Sequence, residues 1–191
     1  ASELTMEERR SLARKAFQHV ALYDTAASQY LDESSTLDSA EKTFGFTKLY
    51  DMSYGENPHQ EAALYADVLS TGGIVRAEQL HGQELSFNNV LDADAAWTTV
   101  CDFEEQAVTV VKHANPCGLA VHDDQPTAYQ RAFEGDSMSA YGGIVGFNRT
   151  VTAATARAMK GVLYHVMVAP DYEPEALEIL RKRKQLRILR A

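Results

Sequence analysis

The sequence predicts an α/β protein in which some neighbouring strands are parallel. After residue 106, short runs of apolar residues alternate with longer segments of helical pattern, and strands that alternate with helices form sheets with parallel pairs. The first thirty residues differ, with apolar side chains at helical intervals. A long helix followed by an α/β sheet is therefore the expected architecture.

The N-terminal helix is expected to begin at Thr5 and to run to about Tyr30. Thr5 and Glu8 have the spacing of a capping box, in which each side chain accepts a hydrogen bond from the other residue's backbone N–H. The apolar positions that follow are Leu12, Ala16, Val20 and Tyr23. Residues 32–41 are polar and acidic, which predicts a linker and a domain boundary.

Two short strands are predicted next, at residues 44–52 and 61–66. They flank the polar loop Tyr54–Gln60, whose backbone is restricted by Gly and Pro. The remaining predicted elements are a turn at 72–73, a helix from 89 to about 103 capped by Asn88, a buried strand at 107–111, a helix near 127–133, a strand at 143–147, a helix at 152–162, a strand at 165–169, a helix at 174–184 and a strand at 186–189. Asn is a favoured N-cap, and Pro174 suits a first helical position.

Charge and composition exclude several classes of protein. The net charge of -9 argues against general affinity for nucleic acid or an anionic membrane. No apolar run approaches the ~20 residues that span a bilayer, and no signal peptide is recognisable. Cys101 and Cys117 are the two cysteines, which suggests a reducing compartment rather than a disulfide framework. The expected location is the cytoplasm.

The segment Lys112–Gly118 is the most informative part of the chain. It follows the apolar run 107–111, which predicts a buried strand that the proline and glycine of the segment end abruptly. Ligands of α/β proteins usually bind outside the carboxyl ends of strands. Lys112 and His113 would bring there a positive charge and a group that titrates near neutrality. Adjacent strand residues point to opposite faces, so a solvated lysine and a hydrogen-bonded histidine are the alternative.

Three segments in this order resemble one known family. They are Tyr54–Gln60 (YGENPHQ), Lys112–Gly118 (KHANPCG) and Ser139–Ile144 (SAYGGI). Three separated motifs in the right order are far more specific than any one of them, and together they resemble the bifunctional AICAR transformylase/IMP cyclohydrolase family of purine biosynthesis. The resemblance continues through Val168–Pro170 and Glu175–Leu177 and covers nearly the whole chain.

The resemblance implies a fold and a domain organisation. The family's transformylase domain contains two α/β halves that resemble cytidine deaminase, so the expected fold is a three-layer sandwich with a mixed sheet. Residues 1–31 resemble the helix that ends the cyclohydrolase domain, residues 32–43 form the acidic linker, and residues 44–191 resemble the first transformylase half. An apolar strand at 186–189 would be an unpaired edge unless something covers it. We therefore expect the chain to be part of a longer protein.

The reaction of the family implies roles for two residues. The family transfers a formyl group from 10-formyltetrahydrofolate to the amine of AICAR (5-aminoimidazole-4-carboxamide ribonucleotide), which gives FAICAR, and cyclises FAICAR to IMP. The amine is a poor nucleophile, so the transfer needs removal of a proton and stabilisation of an oxyanion. By resemblance, His113 handles the proton, and Lys112 supplies positive charge to the oxyanion or tunes the histidine pKa.

Other residues that match the family motifs are expected to bind the substrate. By resemblance, Tyr54 contacts the nucleotide, while Asn57 and His59 orient the catalytic pair by hydrogen bonds. A loop that bonds only to itself is the alternative. Gly142 matches a glycine whose backbone lies against the substrate, where a side chain would block close approach. Tyr141 is expected to pack rather than to contact the substrate.

Two positions depart from the family pattern. Ser53 stands where the family usually has an arginine that would bind the AICAR 5'-phosphate, and serine lacks the charge and bidentate geometry of arginine. His165 stands where the family usually has an acid that would bond to the carboxamide. Both changes weaken the expected AICAR site unless other arginines compensate. The candidates are Arg76, Arg131 and Arg149.

The resemblance also implies partners. AICAR and folate are the expected small-molecule partners, and the parent enzyme is expected to be a homodimer with a site shared between subunits. Neither a covalently bound cofactor nor a metal is expected. Pro116-Cys117 resembles the start of a zinc-deaminase motif, but Ala120 stands where the second cysteine would be. The non-enzymatic alternative is a half-domain that binds nucleotide weakly, and for this chain alone we expect negligible turnover.

Overall fold

The computed structural model describes residues 4–32 and 40–191. Most of the predicted acidic linker lies outside the described residues. Two compact units are present: one comprises Ala1–Leu49 and Tyr65–Ser70, and the other, here called the sheet unit, comprises Tyr50–Leu64 and Thr71–Ala191. The domain boundaries expected from the resemblance remain a prediction.

The predicted N-terminal helix is confirmed as α1, Met6–Leu31. Its capping box is complete, because the Glu8 N–H donates to Thr5 Oγ1 at 3.2 Å and the Thr5 N–H donates to Glu8 Oε2 at 2.7 Å. The two strands that were predicted around the polar loop are also present, as β1 (Phe46–Asp51) and β2 (Ala63–Asp67), and they form a two-stranded sheet.

The sheet unit is built on a mixed six-stranded sheet, which confirms the α/β class. Its strand order is β3-β8-β7-β6-β4-β5. Strands β6, β7 and β8 are parallel to one another, whereas β3, β4 and β5 run antiparallel to their neighbours. The strands are β3 (Glu78–His81), β4 (Ala107–Lys112), β5 (Asn115–Val121), β6 (Gly143–Phe147), β7 (Tyr164–Ala169) and β8 (Arg187–Arg190).

Helices cover both faces of this sheet and make a three-layer arrangement. On one face, α2 (Phe87–Cys101) packs closely on β6, because Gly146 has no side chain to hold the helix away: a Cβ there would lie 2.9 Å from the Ala96 carbonyl oxygen. The other face carries α3, α5 and α6. The remaining helices are α3 (Gln125–Gly135), α4 (Ser137–Ala140), α5 (Ala153–Ala158), α6 (Pro174–Arg181) and the one-turn 3-10 helix Ile74–Arg76.

The central strands are apolar at almost every position because both faces are buried. In β7, Val166 and Val168 face α2, while Met167 and Ala169 face the core on the opposite side. These side chains alternate along the strand, as the two-residue period of a strand requires. The candidate site lies at the ends of these buried strands.

The prediction for the segment after β4 is wrong. The proline and glycine do not end strand structure there: His113 and Ala114 form a two-residue turn, and β5 returns antiparallel to β4. Pro116 is tolerated because β5 is an edge strand, where a missing N–H leaves no partner unpaired. Gly118 is required by packing, since a Cβ there would lie 1.7 Å from the Ala132 carbonyl oxygen.

Two further expectations need correction. Ser86, not Asn88, is the N-cap of α2, because its hydroxyl accepts a hydrogen bond from the Asn89 N–H at 3.3 Å. The strand β8 is not an unpaired edge either, because it lies between β7 and β3. The sequence analysis did not predict β3, so it left β8 without a neighbour on one side.

Candidate functional site

The candidate site lies where several strands of the six-stranded sheet end, not along an edge strand. This row of strand ends is called the sheet edge below. Because β4 runs antiparallel to β6, its carboxyl end meets the amino ends of the parallel strands β6, β7 and β8. Four residues lie at these strand ends: Lys112 in β4, Gly142 immediately before β6, His165 in β7 and Arg187 in β8. The site that the sequence predicts at the carboxyl end of β4 remains a prediction, and the mixed sheet brings residues to it from the opposite ends of the neighbouring strands.

Lys112 and His165 meet at Gly142. A Cβ placed on Gly142 would lie 3.5 Å from Lys112 Nζ and 3.5 Å from His165 Cε1. The Lys112 ammonium also donates a hydrogen bond to the Tyr141 carbonyl oxygen at 2.8 Å. We call Lys112, Gly142 and His165 the edge cluster. Its centre is a backbone segment without a side chain, so that the two side chains approach the backbone of Gly142 directly.

The backbone of Gly142 requires glycine. Its φ is 69°, a left-handed conformation that other residues adopt only with strain. The conformation is held in place by a hydrogen bond from the Gly142 N–H to the Leu163 carbonyl oxygen at 2.8 Å. The glycine therefore serves both the turn into β6 and the space beside Lys112.

The edge cluster carries positive charge. Partial burial lowers the pKa of His165, and the positive charges of Lys112 and Arg187 lower it further. Neither Lys112 nor Arg187 takes part in an ion pair with any described residue. In a chain of net charge -9, two neighbouring cations that no described acidic residue pairs with favour an anionic ligand.

His113 lies in the tight turn between β4 and β5. His113 and Ala114 have φ values of 52° and 59°, as a two-residue turn of type I' requires at both central positions. Two contacts stabilise this turn: the Ala114 N–H donates to Asp92 Oδ1 at 2.7 Å, and Asn115 Nδ2 donates to the His113 carbonyl oxygen at 2.7 Å. The His113 side chain is exposed at the turn.

The loop Tyr54–Gln60 is closed largely by its own hydrogen bonds. The Gly55 N–H donates to the Gln60 carbonyl oxygen at 2.8 Å, and the Asn57 N–H donates to Gln60 Oε1 at 2.8 Å. Gly55 is needed for this closure, since a Cβ there would lie 2.9 Å from Gln60 Cβ. Asn57 and His59 are exposed. Within the described residues, neither side chain has a hydrogen bond to Lys112 or His113, so their orienting role remains a prediction.

A single helix, α2, connects the two motif segments. Near its start, the Phe87 N–H donates to the Tyr54 carbonyl oxygen at 3.0 Å, and Asn88 Nδ2 donates to the Glu56 carbonyl oxygen at 3.0 Å. Farther along the same helix, Asp92 holds the turn of His113. The helix therefore sets the position of the YGENPHQ loop relative to the KHANPCG turn.

Ser53 lines two clefts. One, of about 390 Å³, is lined by Ser53 and His59 among others. The second, which we call the Arg187 cleft, has a volume of about 470 Å³ and is lined by Ser53, Tyr54, Gln83, Glu84 and Arg187. Tyr54 and His59, which belong to one motif, thus line different clefts, and Ser53 lines both.

Two residues of this region, Asp92 and Arg187, are not predicted from the sequence. Asp92 is one of several acids on α2, and no sequence pattern distinguishes it from the others. Arg187 is the first residue of a strand and precedes the apolar Ile188 and Leu189. A charged residue at that position lies at the end of the strand, outside the buried core. That signal becomes useful only once the strand order is known.

No metal site is present in the part of the chain that the structure describes: no group of three or more His, Cys, Asp or Glu side chains could hold an ion there. His59 and Glu61 have the His-x-Glu spacing of the zinc deaminases, but no cysteine joins them in such a group. Cys117 is a free thiol whose Sγ donates to the Val110 carbonyl oxygen at 3.4 Å. None of the described helices is long and apolar enough to cross a membrane.

Comparison with known proteins gives consistent matches along the chain. The sequence profile of the family described as AICARFT/IMPCHase bienzyme matches residues 1–191. The chain is 49% identical to the bifunctional purine biosynthesis protein purH of Dictyostelium discoideum, over 99% of this chain and 39% of that protein. It is 49% identical to PurH of a Thermoanaerobacter species and 47% identical to PurH of Bacillus mycoides, over 97% and 98% of this chain and 37% of each relative. The chain thus spans less than two fifths of the length of these relatives.

Proposed function

Because the chain belongs to the AICARFT/IMPCHase bienzyme family, we propose that its sheet unit provides part of an AICAR formyltransferase site. The reaction would transfer the formyl group of 10-formyltetrahydrofolate to the amine of AICAR in purine biosynthesis. The observation that carries this proposal is the edge cluster, where the Lys112 ammonium and the His165 ring meet over the backbone of Gly142.

The proposed chemistry needs a cation close to the formyl carbon and a base close to the amine. Lys112 has a fixed positive charge without an acidic partner among the described residues, which suits stabilisation of the oxyanion that forms on the formyl carbon. His113 is exposed in the adjacent turn, where its imidazole could take a proton from the AICAR amine. His165 would accept or donate a hydrogen bond at the carboxamide, in place of the acid that the family usually has.

We place the sheet unit in the family's cytidine-deaminase-like transformylase half, and α1 in the helix that ends the cyclohydrolase domain. The three-layer arrangement of the sheet unit supports this placement. The parent protein would be a cytoplasmic homodimer that also cyclises FAICAR to IMP, with a formyltransferase site shared between subunits. AICAR and folate would be its small-molecule partners, with no resident metal and no nucleic acid.

A non-catalytic half-site is the second candidate for this chain alone. The observation that favours it is coverage, because the chain spans 37–39% of the relatives. Groups from the rest of the parent protein, above all those that bind folate, would then be missing. The isolated chain would bind AICAR and show negligible turnover.

Calorimetric titration with AICAR tests the proposal. We expect saturable binding by the unaltered chain, weaker binding by Lys112→Met, and unchanged binding by Lys15→Met, a control at an exposed position of α1. His113→Ala should bind AICAR with little change, since the proposal gives His113 a role in proton transfer. Failure of the well-folded unaltered chain to bind AICAR would overturn the proposal.

A formyl-transfer assay of the same samples separates the two candidates. Negligible turnover beside saturable AICAR binding supports a half-site. Measurable formyl transfer that His113→Ala abolishes would instead show that this chain carries a complete catalytic site.

A further inference from the structure

Arg187 places a guanidinium in the cleft beside Ser53, and no acidic side chain among residues 4–32 and 40–191 forms an ion pair with it. Its Nε donates to the Glu84 carbonyl oxygen at 3.0 Å. Among the described residues, its two terminal nitrogens have neither a hydrogen-bond nor an ion-pair partner, so they are open to the Arg187 cleft. Glu84 lines the same cleft, but its backbone carbonyl, not its carboxylate, contacts Arg187.

The position of this guanidinium is fixed by the surrounding backbone. Gly82 has a φ of 98°, and a Cβ there would lie 2.6 Å from the Leu186 carbonyl oxygen and 2.9 Å from Arg187 Cγ. The chain after β3 can therefore lie directly against the stem of Arg187 only because residue 82 is glycine. A side chain that is held in place before binding loses little conformational entropy when a ligand arrives.

Arg187 also continues the row of positive charge that begins at Lys112. The strand order places Lys112 on β4 and Arg187 on β8, three strand spacings apart, or about 14 Å. His165 lies between them on β7, and both cations lower its pKa. A ligand that contacts both cations would therefore lie across the ends of β6 and β7, beside His165.

We infer that Arg187 binds the 5'-phosphate of the mononucleotide substrate and replaces the arginine that the family usually carries at the position of Ser53. The inference rests on the proposed function, which places the reacting end of the substrate at Lys112 and therefore its phosphate end toward Arg187. A guanidinium with two open terminal nitrogens can bind a phosphate through two parallel hydrogen bonds, and the Ser53 hydroxyl lines the same cleft.

Two of the three arginines that the sequence offers as candidates, Arg149 and Arg131, are less suited to this role. Arg149 follows the carboxyl end of β6, which is the edge opposite the site, and its guanidinium donates to the Asn148 carbonyl oxygen at 2.9 Å. Arg131 is exposed on α3. Arg187, by contrast, lines a cleft together with Ser53.

The test compares AICAR with its nucleoside, which lacks the phosphate, by calorimetry. We expect Arg187→Met to lower AICAR affinity by about tenfold to a hundredfold and to leave the nucleoside affinity unchanged. Arg131→Met is the matched control and should change neither affinity. Adding Ser53→Arg to Arg187→Met should restore AICAR binding, since residue 53 lines the same cleft.

The outcomes separate this inference from the proposed function. If the unaltered chain binds AICAR and Arg187→Met binds it equally well, the inference is wrong and the proposed function stands. If Arg187→Met weakens the nucleoside and the nucleotide alike, Arg187 supports the loop of Glu84 and does not bind phosphate. If the unaltered, folded chain binds no AICAR, both the proposed function and this inference are wrong.

Discussion

The Asp92 carboxylate accepts a hydrogen bond from the Ala114 backbone N–H at 2.7 Å. Ala114 has a φ of 59°, a conformation in which a non-glycine residue costs on the order of 1–3 kcal/mol. The bond therefore stabilises a strained turn, and that turn carries His113. A helix that is remote in sequence thus determines where the exposed histidine lies.

Removal of this carboxylate should destabilise the turn. We expect Asp92→Ala to lower the free energy of unfolding by about 1.5–3 kcal/mol, the range for hydrogen bonds to charged groups. Asp92→Asn keeps an oxygen acceptor and should cost less. Asp94→Ala, at an exposed position of the same helix, is the control. Urea denaturation measures the loss, and amide exchange at Ala114 should accelerate in Asp92→Ala; equal stability of the two alanine variants would show that the bond contributes nothing.

A methyl group at Gly142 should affect the edge cluster as well as the fold. Gly142→Ala forces alanine into a φ of 69° and places its Cβ 3.5 Å from Lys112 Nζ. We expect a loss of stability of about 1 kcal/mol or more together with loss of AICAR binding. Gly73→Ala is a matched control, because φ is 76° there and no atom lies within 4 Å of the added Cβ.

The control separates backbone strain from the effect on the site. Gly73→Ala should lose stability and retain AICAR binding, as measured by denaturation and calorimetry on the same samples. Retention of full AICAR affinity by Gly142→Ala would place the ligand elsewhere than over this glycine.

His165 should titrate below the ordinary histidine pKa. Partial burial lowers its pKa, and Lys112 and Arg187 lower it further. Nuclear magnetic resonance titration of the ring measures this directly, with the resonance assigned by its absence in His165→Gln. We expect the midpoint to lie below about 6.5 and to rise in Lys112→Met. A midpoint that Lys112→Met leaves unchanged would show that the two side chains do not interact.

The same shift implies a pH dependence of stability. The pKa of His165 is lower in the folded state than in the unfolded chain. As the pH falls below about 6.5, the ring therefore takes up a proton in the unfolded chain before it does so in the native state. The contribution of His165 to stability is thus present above the unfolded pKa and is lost as the pH falls through the folded pKa. The unfolding free energy of the unaltered chain should decline more steeply over this window than that of His165→Gln. Parallel curves for the two proteins would contradict this prediction.

Elements whose sequence determines their own structure could be predicted. The strand β6 is predicted with its observed bounds, because a strand that is buried at every position reads as an uninterrupted apolar run, here Gly143–Phe147. The helix α1 is predicted from a local capping box. The strand β3 could not be predicted in this way, since Leu80 is the single large apolar residue of Glu78–His81. Its strand structure comes from pairing with β8, which is distant in sequence.

In the candidate site, too, some residues could be predicted from local sequence and others depend on long-range pairing. The motifs point to Lys112, Gly142 and His165, and the structure brings these three together. The motifs do not point to Arg187, because its place beside Ser53 depends on the strand order and on the loop after β3. Local sequence thus points to the three residues that meet at Gly142, while Arg187 reaches the cleft of Ser53 through the long-range arrangement of the strands.

The buried pair of tyrosines beneath the edge cluster allows a test of polar burial. The hydroxyls of Tyr129 and Tyr164 lie 3.1 Å apart in the core, and Tyr164 immediately precedes His165. Burial raises the pKa of both hydroxyls, so both stay protonated. Replacing one leaves the other without this partner, which should cost about 1–3 kcal/mol in unfolding free energy.

The double variant distinguishes the bond from simple packing. Tyr129→Phe and Tyr164→Phe should each destabilise the chain, and the double variant should lose clearly less than the sum of the two, because no unpaired hydroxyl then remains. Urea denaturation of the four proteins gives this double-mutant cycle. Additive losses would mean that each hydroxyl is satisfied independently of the other, since a shared bond requires a coupling energy between them.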